Sequence, residues 1–287
     1  MNKKSSYRGW LRILLIIFPY LFIVSIFQFI GSLLMGFKFS DLEIEQSPVQ
    51  RLVIQLFSFL GTLLVVGLFL KLIDKEKFVD IGFRIKNSFR SFWAGFAIGA
   101  IIMFLGFGIL EVLGQIHFQK INFSLNQIVI SILTFLLVSL TEEILLRGYV
   151  LRNLMYSFNK YIALILSAVL FSLMHGFNPN IDIIGFANIF LAGILLGITY
   201  IHTKNLWFPI ALHFSWNFFQ TILGFNVSGQ NTYSVIKFGM DEKTYLNGGD
   251  FGFEGSVLSL LSIIIVIAII IIHYRRKRHL IYSTENQ

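Results

Sequence analysis

The sequence predicts an all-α fold, a polytopic integral membrane bundle of about eight transmembrane helices. The composition is the first observation, since 56% of the 287 residues are hydrophobic, only 13% are charged and 32 are Phe. A soluble domain keeps about a quarter of its residues charged. The second observation is that apolar runs of about 20 residues, the length that crosses a bilayer, recur along the chain. Both observations exclude a soluble globular protein.

Eight apolar segments locate the predicted helices. They are residues 11–36, 51–73, 91–115, 126–146, 161–176, 181–201, 205–225 and 256–274. The last segment is the most continuous and ends at the basic run RRKRH. The first segment follows a charged start that is typical of a signal peptide. Its apolar stretch is longer than a signal-peptide core and no A-x-A site follows, so we expect it to remain as a span.

Two longer polar intervals separate these segments. Residues 74–90 carry alternating charges, and residues 226–255 are rich in Gly and Asn. We interpret the first as a cytoplasmic linker or interfacial helix and the second as an external loop. Neither is long enough for a second domain. We therefore expect a single transmembrane domain over residues 1–287.

The distribution of Lys and Arg predicts the orientation in the membrane. Alternation of the eight spans places 18 of the 23 basic residues on one side, and on the other side only Lys38, Arg51, Lys120, Lys237 and Lys243. Because basic residues accumulate in short cytoplasmic loops, both termini are predicted to be cytoplasmic. The net charge of +8 comes from these flanking residues. It favours anionic lipid headgroups over nucleic acid as a partner.

Three groups of polar residues interrupt the apolar helices. Glu142, Glu143 and Arg147 lie in TEEILLRG, His175 ends LFSLMH, and His213 and Asn217 lie in LHFSWN. An ionisable side chain inside a membrane span costs at least a few kcal/mol, so several of them suggest a common purpose. We predict that they form one shared polar site. The absence of Cys excludes a thiol nucleophile or a thiolate metal ligand there.

The spacing of these residues predicts different tasks for the two glutamates. Arg147 lies four residues after Glu143, where it can form an ion pair across one helical turn. Glu142 points about 100° away and remains free. His213 and Asn217 also lie four residues apart and face the same direction. A free carboxylate can accept a proton from water, and the His and Asn side chains can either donate hydrogen bonds to an oxyanion or bind a metal.

The order of the motifs resembles a known family. EExxxRG from Glu142, FxxxH from Phe171 and HxxxN from His213 are similar to the CPBP intramembrane proteases. This family includes type II CAAX prenyl endopeptidases and bacterial Abi proteins associated with bacteriocin immunity. The resembling region, residues 126–225, would be the CPBP-like catalytic core.

The resemblance implies a role for each residue of the site. Glu142 would activate the water, His175 and His213 would flank it, and Asn217 would complete the set that stabilises the oxyanion or binds a metal. Glu143 and Arg147 would hold the geometry. The cofactor would be zinc or another divalent metal bound by Glu142, His175, His213 and Asn217, or none.

The expected function is therefore an intramembrane endopeptidase. It would hydrolyse a peptide bond of a membrane-associated or prenylated protein or peptide near the cytoplasmic half of the bilayer, in a bacterial plasma membrane. One alternative is a non-catalytic bacteriocin-immunity or scaffold protein. Another is a proton-coupled transporter whose intramembrane carboxylates relay protons.

One geometric conflict remains in the predicted arrangement of the helices. At 1.5 Å per residue, His175 lies about 22 Å above Lys160, whereas Glu142 lies only about 7 Å from Arg147. If Arg147 and Lys160 mark the same membrane boundary, the two site residues have different depths. Either the fourth helix continues past Arg147, or the fifth is steeply tilted or broken.

We predict that the loops containing Lys75 and Arg152 face the cytoplasm and that residues 231–250 face outward. Because the chain has no native Cys, a single cysteine in each loop can be labelled with a membrane-impermeant thiol reagent. Intact cells should label the cysteine in residues 231–250, and the other two should react only after permeabilisation. Labelling of residues 231–250 from the cytoplasmic side alone would reverse the topology.

Overall fold

The computed structural model describes residues 8–36, 46–85 and 88–285, with side chains described as far as residue 277. The prediction that both termini are cytoplasmic concerns the chain ends, which lie outside the described residues. Five basic residues used for the orientation also lie outside them, entirely or for their side chains: Lys3, Lys4, Lys38, Lys86 and Arg278.

Helices dominate the described part of the chain. They are α1 (Gly9–Leu34), α2 (Pro48–Phe69), α3 (Ser88–Val112), α4 (Leu125–Glu143), α5 (Arg152–Ser157), α6 (Lys160–Met174), α7 (Ile183–Thr203), α8 (Trp207–Ile222) and α9 (Val257–Glu285). Two short strands, β1 (His117–Ile121) and β2 (Ile236–Gly239), pair in antiparallel orientation. Each of the eight predicted segments overlaps a helix. The strand pair is a feature that hydropathy did not predict.

Among the described residues, six helices are long and apolar enough to cross a membrane. They are Gly9–Leu34, Pro48–Asp74, Ser88–Val112, Leu125–Ser157, Ile183–Thr203 and Val257–Lys277. The protein is therefore an all-α polytopic membrane protein, as predicted. Helices α6 and α8 have only 15 and 16 residues, fewer than the roughly 20 that a span requires. Most of α8 is buried, so its neighbours in the bundle, rather than lipid, surround it.

The fourth helix continues well past Arg147, which resolves the conflict in depth. A segment with π-helical hydrogen bonding, Ile144–Leu151, joins α4 to α5 and makes one helix of 33 residues, Leu125–Ser157. Glu142 thus lies about 22 Å from the Ser157 end, which matches the height of His175 above Lys160. The first of the two solutions is correct.

Polar contacts distinguish the two faces of the bundle. At one face, Arg12 pairs with Asp74 and Arg152 pairs with Glu76. We call this the basic face, and it includes the residues predicted to be cytoplasmic. At the opposite face, the Arg51 guanidinium donates to the carbonyl of Asn231 over 2.6 Å. We call this second face, which carries the strand pair and residues 226–255, the loop face.

Glycines allow close packing of the helices around the site. Gly193 and Gly197 on α7, whose G-x-x-x-G spacing is typical of helix contacts, face Ala168 and Leu164 on α6. Gly99 on α3 faces α8. A Cβ atom at Gly99 would lie 2.9 Å from the backbone nitrogen of Trp216 and 3.0 Å from the carbonyl oxygen of Leu212. Since α8 carries His213 and Asn217, this contact sets the position of half the predicted site.

We predict that Gly99→Ala destabilises the protein by about 1–3 kcal/mol, because the added methyl group forces α8 away from α3. Gly108→Ala on the same helix is the matched control, since nothing lies within 4 Å of a Cβ at that position. Thermal unfolding of the purified protein in detergent measures the difference. Equal unfolding midpoints for the two variants would show that the close approach of α3 and α8 is not required.

Candidate active site

A buried ion pair anchors the site. The Arg147 guanidinium donates to the Glu143 carboxylate over 2.9 Å and to the Gly193 carbonyl over 3.1 Å. The guanidinium also lies 4.5 Å from the centre of the Phe171 ring. Both charged side chains are completely buried. The predicted pair is present, and Arg147 does not mark a membrane boundary, because the helix continues ten residues beyond it.

The two histidines are oriented through their Nδ1 atoms. His213 Nδ1 lies 2.9 Å from the same Glu143 oxygen that Arg147 contacts. His175 Nδ1 lies 2.8 Å from the carbonyl oxygen of Phe171. Because a carbonyl oxygen only accepts, His175 Nδ1 carries a proton, and the carboxylate of Glu143 assigns the same tautomer to His213. In the neutral state each Nε2 is therefore a hydrogen-bond acceptor, not a donor.

Glu142 faces both imidazoles. Its Oε2 atom lies 3.8 Å from His175 Nε2 and 3.9 Å from His213 Nε2. This oxygen is buried and has no hydrogen-bond partner. Buried polar atoms in proteins are almost always satisfied, so this unpartnered acceptor favours a small polar group such as water bound beside the three atoms. The structure thus brings together Glu142, His175 and His213.

Asn217 borders the same space. One helical turn after His213, it is 5% exposed and lines the cavity that contains Glu142 and both imidazoles. Its side-chain amide forms no hydrogen bond with the described residues, so the amide N–H groups are free for a ligand. All four predicted residues thus line one cavity. Their catalytic roles remain predictions.

The cavity has a volume of about 390 Å³ and extends to the loop face. Gln46, Arg51 and Thr232 line it near that face. Under the predicted orientation the loop face is the outer one. The expected position of the site in the cytoplasmic half of the bilayer stays a prediction.

Residues 124–219 match the family model described as type II CAAX prenyl endopeptidase, Rce1-like. The matched stretch contains all three motifs, from Glu142 to Asn217. This stretch, roughly a third of the chain, is thus similar to the CAAX-type proteases that the motifs also indicated. The search of curated proteins and the search of solved structures found no match. The resemblance of the motifs is confirmed, and it associates the chain with membrane endopeptidases.

The site offers the donor atoms that zinc uses, two imidazole nitrogens and a carboxylate oxygen. Ligands of a tetrahedral zinc ion lie about 3.4 Å from one another. The distances from Glu142 Oε2 to the imidazoles, 3.8 and 3.9 Å, are larger. Among the residues that the structure describes, no three His, Cys, Asp or Glu side chains form a metal-binding group. The chemistry of the donor set fits a metal but its spacing does not, so we derive no step through one.

Two polar residues of the cavity were missed by the motif analysis. Asn188 on α7 is 1% exposed, and Glu254, just before α9, is 7% exposed. Both line the cavity, although Glu254 lies outside the stretch that matches the family model. A carboxylate in the Gly-rich interval 226–255 resembles any surface acid in the sequence. Only the tertiary structure reveals its burial.

We predict that Arg147→Ala destabilises the protein by about 3–5 kcal/mol, because it leaves the Glu143 carboxylate buried without its cation. The double variant Glu143→Gln with Arg147→Met is the control, since it removes both charges and should recover most of the lost stability. Thermal unfolding in detergent compares the two. A single variant as stable as the wild type would mean that the ion pair contributes nothing to the fold.

Proposed function

We propose that the protein is an intramembrane endopeptidase in which Glu142 activates a water molecule for attack on a peptide bond. The observation that carries this proposal is the unpartnered Oε2 of Glu142, buried in the cavity and facing two imidazole nitrogens. A structural carboxylate would have a donor, as Glu143 has. Glu142 has an open position instead.

The first step is the attack of water. With one imidazole protonated, a water beside Glu142 donates its two O–H groups to the Glu142 carboxylate and to the Nε2 atom of the other, neutral imidazole. This arrangement directs an oxygen lone pair away from the three side chains and toward the remaining cavity. Glu142 takes one proton while the water oxygen bonds to the carbonyl carbon of the substrate.

The second requirement is stabilisation of the oxyanion. The free amide of Asn217 supplies one N–H donor at the cavity wall. An imidazole supplies another only when its Nε2 is protonated, because its Nδ1 proton is already used. The mechanism thus requires one imidazolium, either His175 or His213, beside the Glu142 carboxylate. Opposite charges at this separation favour each other in a buried site.

Collapse of the tetrahedral intermediate completes the reaction. The proton that Glu142 accepted passes to the leaving amine nitrogen as the C–N bond breaks, and the new carboxylate keeps the oxygen of the water. Glu142 then returns to its ionised form. Throughout the cycle Glu143 holds His213, and Arg147 compensates the charge of Glu143. These two residues position the site without contacting the substrate.

The cavity walls favour an apolar peptide or lipid-modified substrate. Apart from its polar groups, the cavity is lined by side chains such as Ile54, Phe135, Leu195 and Ile263. Binding sites of this volume orient a ligand with a few polar groups on a mainly apolar surface. We propose a membrane-associated or prenylated protein or peptide as the substrate, and a bacterial plasma membrane as the location.

We predict that Glu142→Gln abolishes turnover and leaves the thermal unfolding midpoint near the wild-type value. The substitution keeps the size of the side chain but removes the base, which contributes on the order of 100 to 10,000-fold. The matched control is Glu111→Gln, an exposed glutamate at the end of α3, which should retain full activity. Cleavage of peptides reconstituted with the protein in nanodiscs, followed by mass spectrometry, measures turnover.

Wild-type cleavage by Glu142→Gln would defeat the enzymatic proposal. The non-catalytic immunity or scaffold function would then be favoured, since that function needs the fold but not the base. Proton-coupled uptake into vesicles that is lost in Glu142→Gln, without any peptide cleavage by the wild type, would instead favour the transporter.

A further inference from the structure

The cavity contains a second buried carboxylate that the proposed chemistry does not use. Glu254 lies in a short turn, Phe253–Gly255, between the loop face and α9. It is 7% exposed and lines the same cavity as Glu142. No Lys or Arg side chain of the described residues pairs with it. A buried carboxylate normally has such a partner, so its isolation needs a reason.

Only one of the two oxygens of the Glu254 carboxylate accepts hydrogen bonds from the described residues. Ser228 donates to Oε2 from its backbone N–H over 2.8 Å and from its hydroxyl over 2.9 Å. None of the described residues donates to Oε1. Burial raises the pKa of the Glu254 carboxyl, although the Ser228 hydrogen bonds oppose this. No Lys or Arg side chain of the described residues pairs with the ionised form, which His175 and His213 favour only from beyond ion-pair distance.

Asn188 fixes this turn and offers a second free acceptor. Its amide nitrogen donates to the backbone carbonyls of Glu254, over 2.7 Å, and Ser256, over 2.9 Å. These two bonds determine the orientation of the amide, since the carbonyls cannot donate. The side-chain oxygen of Asn188 is buried and has no partner. It is a pre-oriented acceptor in a residue that lines the cavity.

A nearby acid shows that Glu254 is exceptional. Asp250, four residues earlier on the same loop, is half exposed and pairs with Lys243 over 2.8 Å. The exposed acid thus has a cation from the chain, although surface pairs contribute little. The buried acid, for which a cation would matter most, has no Lys or Arg partner among the described residues. A ligand that enters the cavity can provide it.

We propose that Glu254 and Asn188 form a specificity subsite that binds a cationic Lys or Arg side chain of the peptide substrate. This inference rests on the proposed endopeptidase function. Both residues present acceptors without donors, which excludes carboxylates and favours groups rich in N–H. An ammonium or guanidinium can donate to the free oxygen of each residue and neutralise the Glu254 charge. The remaining apolar walls would hold the neighbouring residues.

Matched peptides test the subsite in the full-length protein in nanodiscs. One apolar peptide series carries a single Lys, Arg, norleucine or Glu, with that residue moved along the sequence. Norleucine retains the alkyl chain of Lys without its charge. We expect the wild type to cleave the Lys or Arg peptide at one position with a kcat/KM at least about 10-fold above norleucine, since a hydrogen bond to a charged group contributes this much or more.

Substitutions at Glu254 test whether this residue causes the preference for a cationic peptide. Glu254→Gln should raise KM for the cationic peptide about 10-fold or more and leave the norleucine peptide unchanged. Asp250→Asn is the control for a change of loop charge and should keep the wild-type preference. Glu254→Lys should reverse the selectivity toward the Glu peptide. Because Glu254 is buried, its substitution could unfold the protein, so the unfolding midpoint is measured for each variant. The peptide series with the wild-type protein tests the subsite without any variant.

Binding measurements distinguish failure of the subsite from failure of the proposed function. Fluorescent forms of the Lys and norleucine peptides are titrated against Glu142→Gln, which binds but does not hydrolyse. Tighter binding of the Lys peptide there supports the subsite even if no peptide is cleaved by the wild type. Equal affinities for the two peptides at every position, or a cationic preference that survives in Glu254→Gln, would overturn it.

Discussion

The architecture of the site depends on one buried carboxylate, Glu143. It accepts from Arg147 on its own helix and contacts His213 on α8, and Arg147 extends the connection to the Gly193 carbonyl on α7. Three helices are thereby joined through charges that water does not reach. Such a pair adds little stability compared with apolar residues of the same size, but removal of one partner strongly destabilises the fold. Its value lies in the fixed positions of His213 and of α4.

The neighbouring Glu142 has none of these contacts, whereas Glu143 accepts from Arg147 and contacts His213 through one oxygen, Oε1. Consecutive residues on a helix point about 100° apart, so one carboxylate faces the packed interface and the other faces the cavity. The same division applies to the imidazoles. Each uses Nδ1 for orientation and keeps Nε2 for the cavity. An imidazole whose orientation is fixed by a hydrogen bond at Nδ1 needs little reorganisation when charge develops near Nε2. Such fixed orientation is the condition for electrostatic catalysis.

The sequence predicted what depends on helical spacing and failed where contacts come from distant segments. The four-residue interval between Glu143 and Arg147 was sufficient for their pairing, and apolar runs were sufficient for the eight helices. The length of the fourth helix was missed because Arg147 looked like a membrane boundary. Asn188 and Glu254 were missed because their hydrogen bonds cross 66 residues, and no local pattern records the burial of a loop residue.

The position of the cavity also solves a problem that any hydrolase in a bilayer has, the supply of water. Glu142 lies near the middle of a 33-residue helix, where lipid on its own would exclude the nucleophile. The cavity, however, reaches the loop face through polar residues that include Ser228, Gln230 and Thr232. Water can follow these side chains to the carboxylate without crossing the apolar core. The loop that carries Glu254 therefore contributes both to the wall of the cavity and to a polar path toward the Glu142 carboxylate.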